Sequence, residues 1–390
     1  MKQYAASTMI RRLPEQYFSK LEKSIVSLKS QGADIINLAQ GSPDQPTPDH
    51  IIKSLQEAAT DPQFHRYSPF QGFSFFKEAV AEFYKNQYDV DLDPNEEVCI
   101  LFGGKGGLVE VSQCLLNRGD VALVPDPGYP DYWSGVAMQE ANMHMMPLRH
   151  EHGFLPQYED IPARVRDEAK LLFLNYPNNP TGAVASSAFF EETVRFANDH
   201  DICTVHDFAY GAISFDGVKH PSFMQTKGAK ENGIEIYTLS KTYNMAGWRV
   251  GFAVGNRSVI KHLNVLQDHQ YVSLFGAVQR AATTALTSSQ AGVTELQQMY
   301  EKRRNVLVEE AKRIGWAQEA PKGSFFAWFK VPNGMSETEF ATQLLHEAHV
   351  AVAPGNGFGE HGRGYVRIGL VNDETKIKEA MSRIEALNLF

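Results

Sequence analysis

The chain has little cysteine, no excess of basic charge and no long apolar run. Its three cysteines, Cys99, Cys114 and Cys203, are odd in number, far apart and without CxxC spacing, and each sits inside an apolar segment. That pattern excludes a disulfide framework and predicts reduced core residues. Lysine and arginine total 37 against 46 aspartates and glutamates, a formal net charge of −9. This balance leaves no electrostatic footprint for nucleic acid and no polybasic membrane patch, so small molecules are the expected partners. No stretch approaches the roughly eighteen apolar residues of a transmembrane helix. The opening "MKQYAASTMIRRLPEQYF" lacks the apolar core of a signal peptide, so a cytoplasmic protein is expected. No HExxH or clustered Cys/His spacing suggests a metal, and no repeat, low-complexity segment or flexible linker interrupts the chain.

What is present is a long alternation of apolar runs and helical patterns. With 390 residues and 43% hydrophobic content, the chain can bury a sizeable core in two or three structural units. "VCILFG", "VALVP", "HMMPL", "LLFLNY", "ICTVH", "IEIYTL" and "VGFAV" read as seven buried strands, being short, rich in branched residues and bounded by Gly, Pro or Asp. Between several of them lie helix-length segments such as "GGLVEVSQCLLNRG" and "SSAFFEETVRFANDHD", with apolar residues recurring at three and four. This predicts an α/β unit with a mostly parallel seven-stranded sheet flanked by helices. After about residue 288 the texture changes to a charged helix, "ELQQMYEKRRNVLVEEAKRIG", followed by "GSFFAWFKV", "ETEFATQLLHEAH", "VAVAP" and "GYVRIGL". A smaller α+β unit is expected there.

Ligands of open α/β sheets collect outside the carboxyl ends of the strands, and chemically suggestive residues stand at five such ends. Asp207 follows "ICTVH", Asn179 follows "LLFLNYPN", Tyr129 follows "VALVPDPG", "GGKGG" follows "VCILF", and Lys241 follows "IEIYTLS". Together they suit pyridoxal 5'-phosphate, which needs an amine for its aldehyde, an acid at its pyridine nitrogen and donors for a phosphate dianion. Lys241 is the candidate Schiff-base amine and Asp207 the acid. Tyr210 and Asn179 are candidates for the phenolic oxygen. Thr238, Ser240 and Arg249 are candidates for the phosphate, together with the amides of Gly104 and Lys105 at a helix start. Taken singly, each has an ordinary explanation as a surface lysine, a cap or an ion-pair partner; the argument rests on their convergence. His206, beside Asp207, reads as a hydrogen-bonded core histidine. Two nucleotide-like patterns fail on context: Gly357, Gly359 and Gly362 precede a strand-like run where a dinucleotide site needs a helix, and Lys105 is followed by Gly106 rather than Ser or Thr.

"NYPNNPTG", "HDFAY", "SKTYNMAGWRVG", "PDPGYP", "YSPFQG", "PGNGFG" and "GYVRIGL" resemble, in order and spacing across nearly the whole chain, the class I/II aminotransferases of the fold-type-I pyridoxal-phosphate enzymes. The resemblance implies Lys241 as the Schiff-base lysine, Asp207 under the ring nitrogen, and Tyr210 and Asn179 at the phenolic oxygen. It also implies Tyr129 stacked on the ring, and Arg367 as the fork for the substrate α-carboxylate with Gly41 and Asn179 beside it. Tyr67 is implied to reach the phosphate site of a neighbouring subunit, hence a homodimer. The implied division is an N-terminal segment, 1–45, joining the small domain, a large cofactor-binding domain, 46–288, and a C-terminal small domain, 289–390. "GGKGG" departs from the family where many members carry Ser or Thr, so backbone or Lys105 must substitute there. "LNVLQDHQYVSLF" lacks the arginine that dicarboxylate-specific members carry, so aspartate is not the expected substrate.

The expected reaction moves an amino group from an L-amino acid to a 2-oxo acid in two half-reactions. "LFGGKGGLVE" and "DPGYPDYWSG" are similar to methionine-salvage members of the family, which narrows the expected acceptor to 4-methylthio-2-oxobutanoate. The alternatives are another neutral, aromatic or diaminopimelate-pathway substrate, or a carbon–sulfur β-lyase on the same cofactor. A cofactor-sensing transcription regulator is not expected, since the residues before Asn37 are too few for a winged helix and linker.

Overall fold

The seven apolar runs lie side by side in one sheet in the computed structural model, which describes residues 2–14 and 17–390 and leaves Met1, Glu15 and Gln16 outside the described residues. In chain order a short β1 (Ile36–Asn37) precedes β2 (Val98–Leu101), β3 (Val121–Asp126), β4 (Asn142–Pro147), β5 (Ala169–Leu174), β6 (Cys203–Asp207), β7 (Gly233–Thr238) and β8 (Gly251–Gly255). The sheet order is β2-β8-β7-β6-β5-β3-β4. Only β8 runs antiparallel to its neighbours.

Burial on both faces explains the near-continuous apolar runs. Alternate residues of each strand enter different cores: Tyr237 and Phe252 join one, Ile236 and Ala253 the other. The edge strand β4 has only one neighbour, and its first residues, Asn142 and Met143, are exposed. Helix Gly104–Leu115 begins earlier than its apolar period suggests, because Gly103 turns the chain at φ 77°. A Cβ on Gly103 would stand 2.4 Å from Arg249 Nη2, so the close approach of this turn to Arg249 requires glycine. Helix Ser187–Asp199 starts at Ser186, whose Oγ accepts from the Phe189 amide at 3.2 Å.

The C-terminal part contains helix Ala291–Arg313, β9 (Phe326–Lys330), helix Glu337–Glu347, β10 (Val350–Ala351), β11 (Ala353–Pro354), β12 (Tyr365–Gly369) and helix Glu374–Glu385. These pack around a second core, which includes Trp316, Phe329, Phe340 and Ile368 and takes in Leu38 and, from the segment after β6, Tyr210, Ile213 and Phe215. "VAVAP" serves two sheets. β10 pairs in parallel with β1, whereas β11 pairs with β12, which in turn pairs with β9. Val352 between them is fully buried, and the run changes partner there because the N-terminal segment supplies the second edge. The glycines of "GNGFGEHG" form two 3-10 turns, Gly355–Phe358 and Glu360–Gly362, that lead into β12 rather than a helix.

The three cysteines are unpaired. Burial pushes the Cys114 and Cys203 thiols up to about 12, so neither is a thiolate near neutral pH. No helix among the described residues is long and apolar enough to cross a membrane.

Phe252 stacks on Tyr237 at 5.3 Å and meets Phe76 and Tyr84 edge-on. Phe252→Ala should therefore lower unfolding free energy by about 3–5 kcal/mol in denaturant titration; a loss below about 1 kcal/mol would mean that this layer is not close-packed.

Candidate active site

One cavity of about 790 Å³ opens at the carboxyl ends of the central strands, and Asp207, Asn179, Tyr129, Tyr210 and Lys241 all line it. Gly41, Gly104, Lys105, Thr238, Ser240, Arg249 and Arg367 line it as well. Tyr67 is the exception: it is 90% exposed and lies outside the cavity of its own chain.

Lys241 sits on the short helix Leu239–Thr242, whose N-cap is Thr238, and Thr238 Oγ1 accepts from the Ser240 amide at 3.2 Å. Lys241 Nζ donates to the Gly41 carbonyl oxygen at 2.9 Å. Burial lowers its pKa to about 8, helped by the charges of Arg367 and Arg249 and opposed by Asp207. The unprotonated share of this amine near neutral pH is therefore far larger than for an ordinary lysine.

Asp207, the last residue of β6, accepts from Tyr132 Oη at 2.8 Å through Oδ2. Burial raises its pKa to about 6, against the Tyr132 hydrogen bond, the His206 charge, the Ala209 amide and Lys241. At pH 7 it is a carboxylate. Its carbonyl oxygen accepts from Asn175 Nδ2 at 2.8 Å, and Asn175 Oδ1 accepts from the Asn179 amide at 2.7 Å. The turn after β5 is thereby fastened to the end of β6.

Arg367 projects from β12, buried, with Nη1 donating to Asn179 Oδ1 at 2.8 Å and Nη2 to the Ala39 carbonyl oxygen at 2.9 Å. The rings of Phe326, Phe358 and Phe18 lie 4.0, 4.7 and 5.3 Å from its guanidinium carbon. Among the described residues its Nε has no hydrogen-bond partner, and burial brings its pKa down to about 10. None of its hydrogen-bond acceptors is a carboxylate, so the group is a buried cation awaiting an anion.

At the opposite side of the cavity Arg249 adopts the left-handed conformation at φ 56° and donates from Nη1 to the Ala246 carbonyl oxygen at 2.9 Å. Beside it are the N-terminus of helix Gly104–Leu115 and the paired hydroxyls of Thr238 and Ser240, 2.8 Å apart. A guanidinium, two hydroxyls and free helix amides form an anion cradle. The side chain of Lys105 is engaged elsewhere, with Nζ 2.9 Å from the buried Asp131 carboxylate, which leaves the backbone to replace the missing hydroxyl of "GGKGG". The sequence reading missed Tyr132, Asn175 and Asp131. Each belongs to a motif that it quoted, but their roles depend on side-chain direction rather than spacing.

The family signature described as "Aminotransferase class I and II" matches residues 33–384. The chain belongs to this family. It is 58% identical over 387 residues to the L-glutamine--4-(methylsulfanyl)-2-oxobutanoate aminotransferase of Bacillus subtilis (strain 168), covering 99% of this chain and 97% of that protein. The substrate-bound BacF structure from Bacillus subtilis superposes with a TM-score of 0.96 at 45% identity, covering 99% of this chain and 98% of that one. A double mutant of the Thermus thermophilus aspartate aminotransferase reaches a TM-score of 0.92 at 28% identity, covering 99% and 100%. The fold is that of the fold-type-I enzymes, and aminotransferases of this family depend on pyridoxal 5'-phosphate.

The cavity of this aminotransferase fits that cofactor. It offers a half-buried amine of lowered basicity, a buried carboxylate, an anion cradle and, across the cavity, a guanidinium whose Nε has no partner among the described residues.

Pulse acetylation of the apoprotein across pH, followed by peptide mapping, should give Lys241 a half-maximal reactivity near pH 8 rather than the ordinary 10.5. Arg367→Gln removes a neighbouring cation, so the midpoint should move upward. A midpoint at the ordinary lysine value would mean that the amine is solvated.

Proposed function

We propose that this aminotransferase uses L-glutamine or a similar L-amino acid to aminate 4-methylthio-2-oxobutanoate to methionine. The observation that carries the reading is Arg367: one buried guanidinium receives an α-carboxylate, and the Lys105 charge is committed to Asp131. Phe18, Leu21, Ile25 and Phe326 contribute apolar wall to the same cavity, which suits an uncharged thioether side chain. The Bacillus subtilis relative named for this keto acid supports the choice.

When bound, pyridoxal 5'-phosphate supplies an electron sink next to the substrate's Cα and carries the amino group between the two half-reactions. The chain's residues then have separate tasks. Lys241 Nζ, with its basicity lowered, would move a proton between the substrate's Cα and the cofactor carbon that held the aldehyde. The Asp207 carboxylate, oriented by Tyr132, holds a proton at the pyridine nitrogen. Asn179 Oδ1 is occupied by Arg367, which leaves Nδ2 to donate to the phenolic oxygen beside Tyr210. Tyr129 would cover the ring, and Thr238, Ser240, Arg249 and the amides of Gly104 and Lys105 would hold the phosphate.

We further infer a homodimer in which Tyr67 completes the partner's phosphate site. Its exposure, shared with Phe70 and Phe275, supports this. The division into residues 1–45, 46–288 and 289–390 is likewise inferred, supported by the pairing of β1 with β10 and by a second core drawn mostly from residues after 288. A cytoplasmic setting is in keeping with the unpaired cysteines.

With glutamine as donor, kcat/KM for 4-methylthio-2-oxobutanoate should exceed that for oxaloacetate by about a hundredfold, because desolvating an unpartnered second carboxylate costs several kcal/mol. Equal values would overturn the substrate assignment. For the dimer, mixing Lys241→Ala and Tyr67→Ala subunits should restore activity that neither variant has alone, since each hybrid holds one intact site; no recovery in verified heterodimers would refute the shared site.

A further inference from the structure

Behind the cleft, on the opposite face of the sheet, lies a polar pair that takes no direct part in amino transfer. His206 and Glu235 are fully buried neighbours on β6 and β7, and His206 Nδ1 is 2.7 Å from Glu235 Oε2. Glu235 Oε1 also accepts from Tyr84 Oη at 2.7 Å and Ser222 Oγ at 2.6 Å, and Oε2 from the Phe223 amide at 2.8 Å. Four contacts fill the acceptor sites of the carboxylate. Rings of Phe190, Phe208 and Phe223 surround the imidazole at 5.0, 5.2 and 6.2 Å. Loss of either member would leave buried polar partners unpaired.

The other ring nitrogen points to the active site's scaffold. His206 Nε2 meets the backbone of Tyr176, 3.1 Å from its carbonyl oxygen and 3.3 Å from its amide nitrogen. Tyr176 belongs to the turn of Asn175 and Asn179, which is fastened to the Asp207 carbonyl and to Arg367. We propose that His206, clamped by Glu235, is a positioning residue that fixes the Asp207 carboxylate relative to the Asn175–Asn179 turn, and so sets how tightly the cofactor's pyridine ring is held. The inference rests on Asp207 being the partner of the pyridine nitrogen. The imidazole charge, when present, also favours the carboxylate form of Asp207.

Dissociation constants for pyridoxal 5'-phosphate, read from tryptophan fluorescence, test this as a double-mutant cycle. All variants are made in a Lys241→Ala chain so that binding is noncovalent. His206→Gln should raise Kd about tenfold, the scale of coupling within one hydrogen-bond network, and should change it less than about twofold when Asp207→Asn is already present. Tyr84→Phe, which removes another buried donor to Glu235 without touching the turn, should lower Tm yet leave Kd within about twofold. Where His206→Gln does not fold, the His206→Gln/Glu235→Gln double variant, which keeps an amide-to-amide bond, carries the same comparison. Equal factors in both Asp207 backgrounds, or a Tyr84→Phe effect on Kd as large as that of His206→Gln, would overturn this inference alone. Unchanged cofactor affinity in Asp207→Asn would overturn the reading of Asp207 and this inference with it.

Discussion

Three ionisable groups, the half-buried Lys241 and the buried Asp207 and Arg367, are withdrawn from water around one cavity, and each is moved from its ordinary pKa mainly by that desolvation. Desolvation acts on them in opposite senses: it weakens the lysine as a base and the arginine as a cation, and it weakens Asp207 as an acid. Close pairing would cancel the charges and leave nothing for a ligand. The fold instead gives each group neutral partners, the Gly41 carbonyl for Lys241, Tyr132 and backbone for Asp207, Asn179 and the Ala39 carbonyl for Arg367. The strand ends, the N-terminal segment and the aromatic rings around Arg367 all serve that separation.

Much of this was legible in the sequence because it depends on period and position. Apart from the edge strand β4, the strands are buried on both faces and therefore apolar nearly throughout, so they could be found, and residues just past their carboxyl ends could be assigned to one site without knowing the sheet order. What escaped depends on direction or on partners remote in sequence. Tyr132 looks like one more aromatic in a helical pattern until its hydroxyl is seen to meet Asp207. Lys105 stands at a helix start suited to phosphate, yet Asp131 draws its side chain away. "VAVAP" has the texture of one strand, and its change of partner at Val352 is decided by β1, more than three hundred residues away. Tyr67 gives no sign, within its own chain, of where its ring belongs.

The pairing of β1 with β10 also bears on the order in which the molecule is completed. The segment after β1 provides the carbonyl oxygens that meet Arg367 and Lys241, at Ala39 and Gly41, and it is held by a strand near the other end of the chain. During synthesis the large sheet emerges in full while this segment still lacks its neighbour. The nascent protein therefore carries Lys241 and Asp207 on a nearly finished scaffold with one wall of the cavity open, and the site closes only after residues 350 to 369 have left the ribosome.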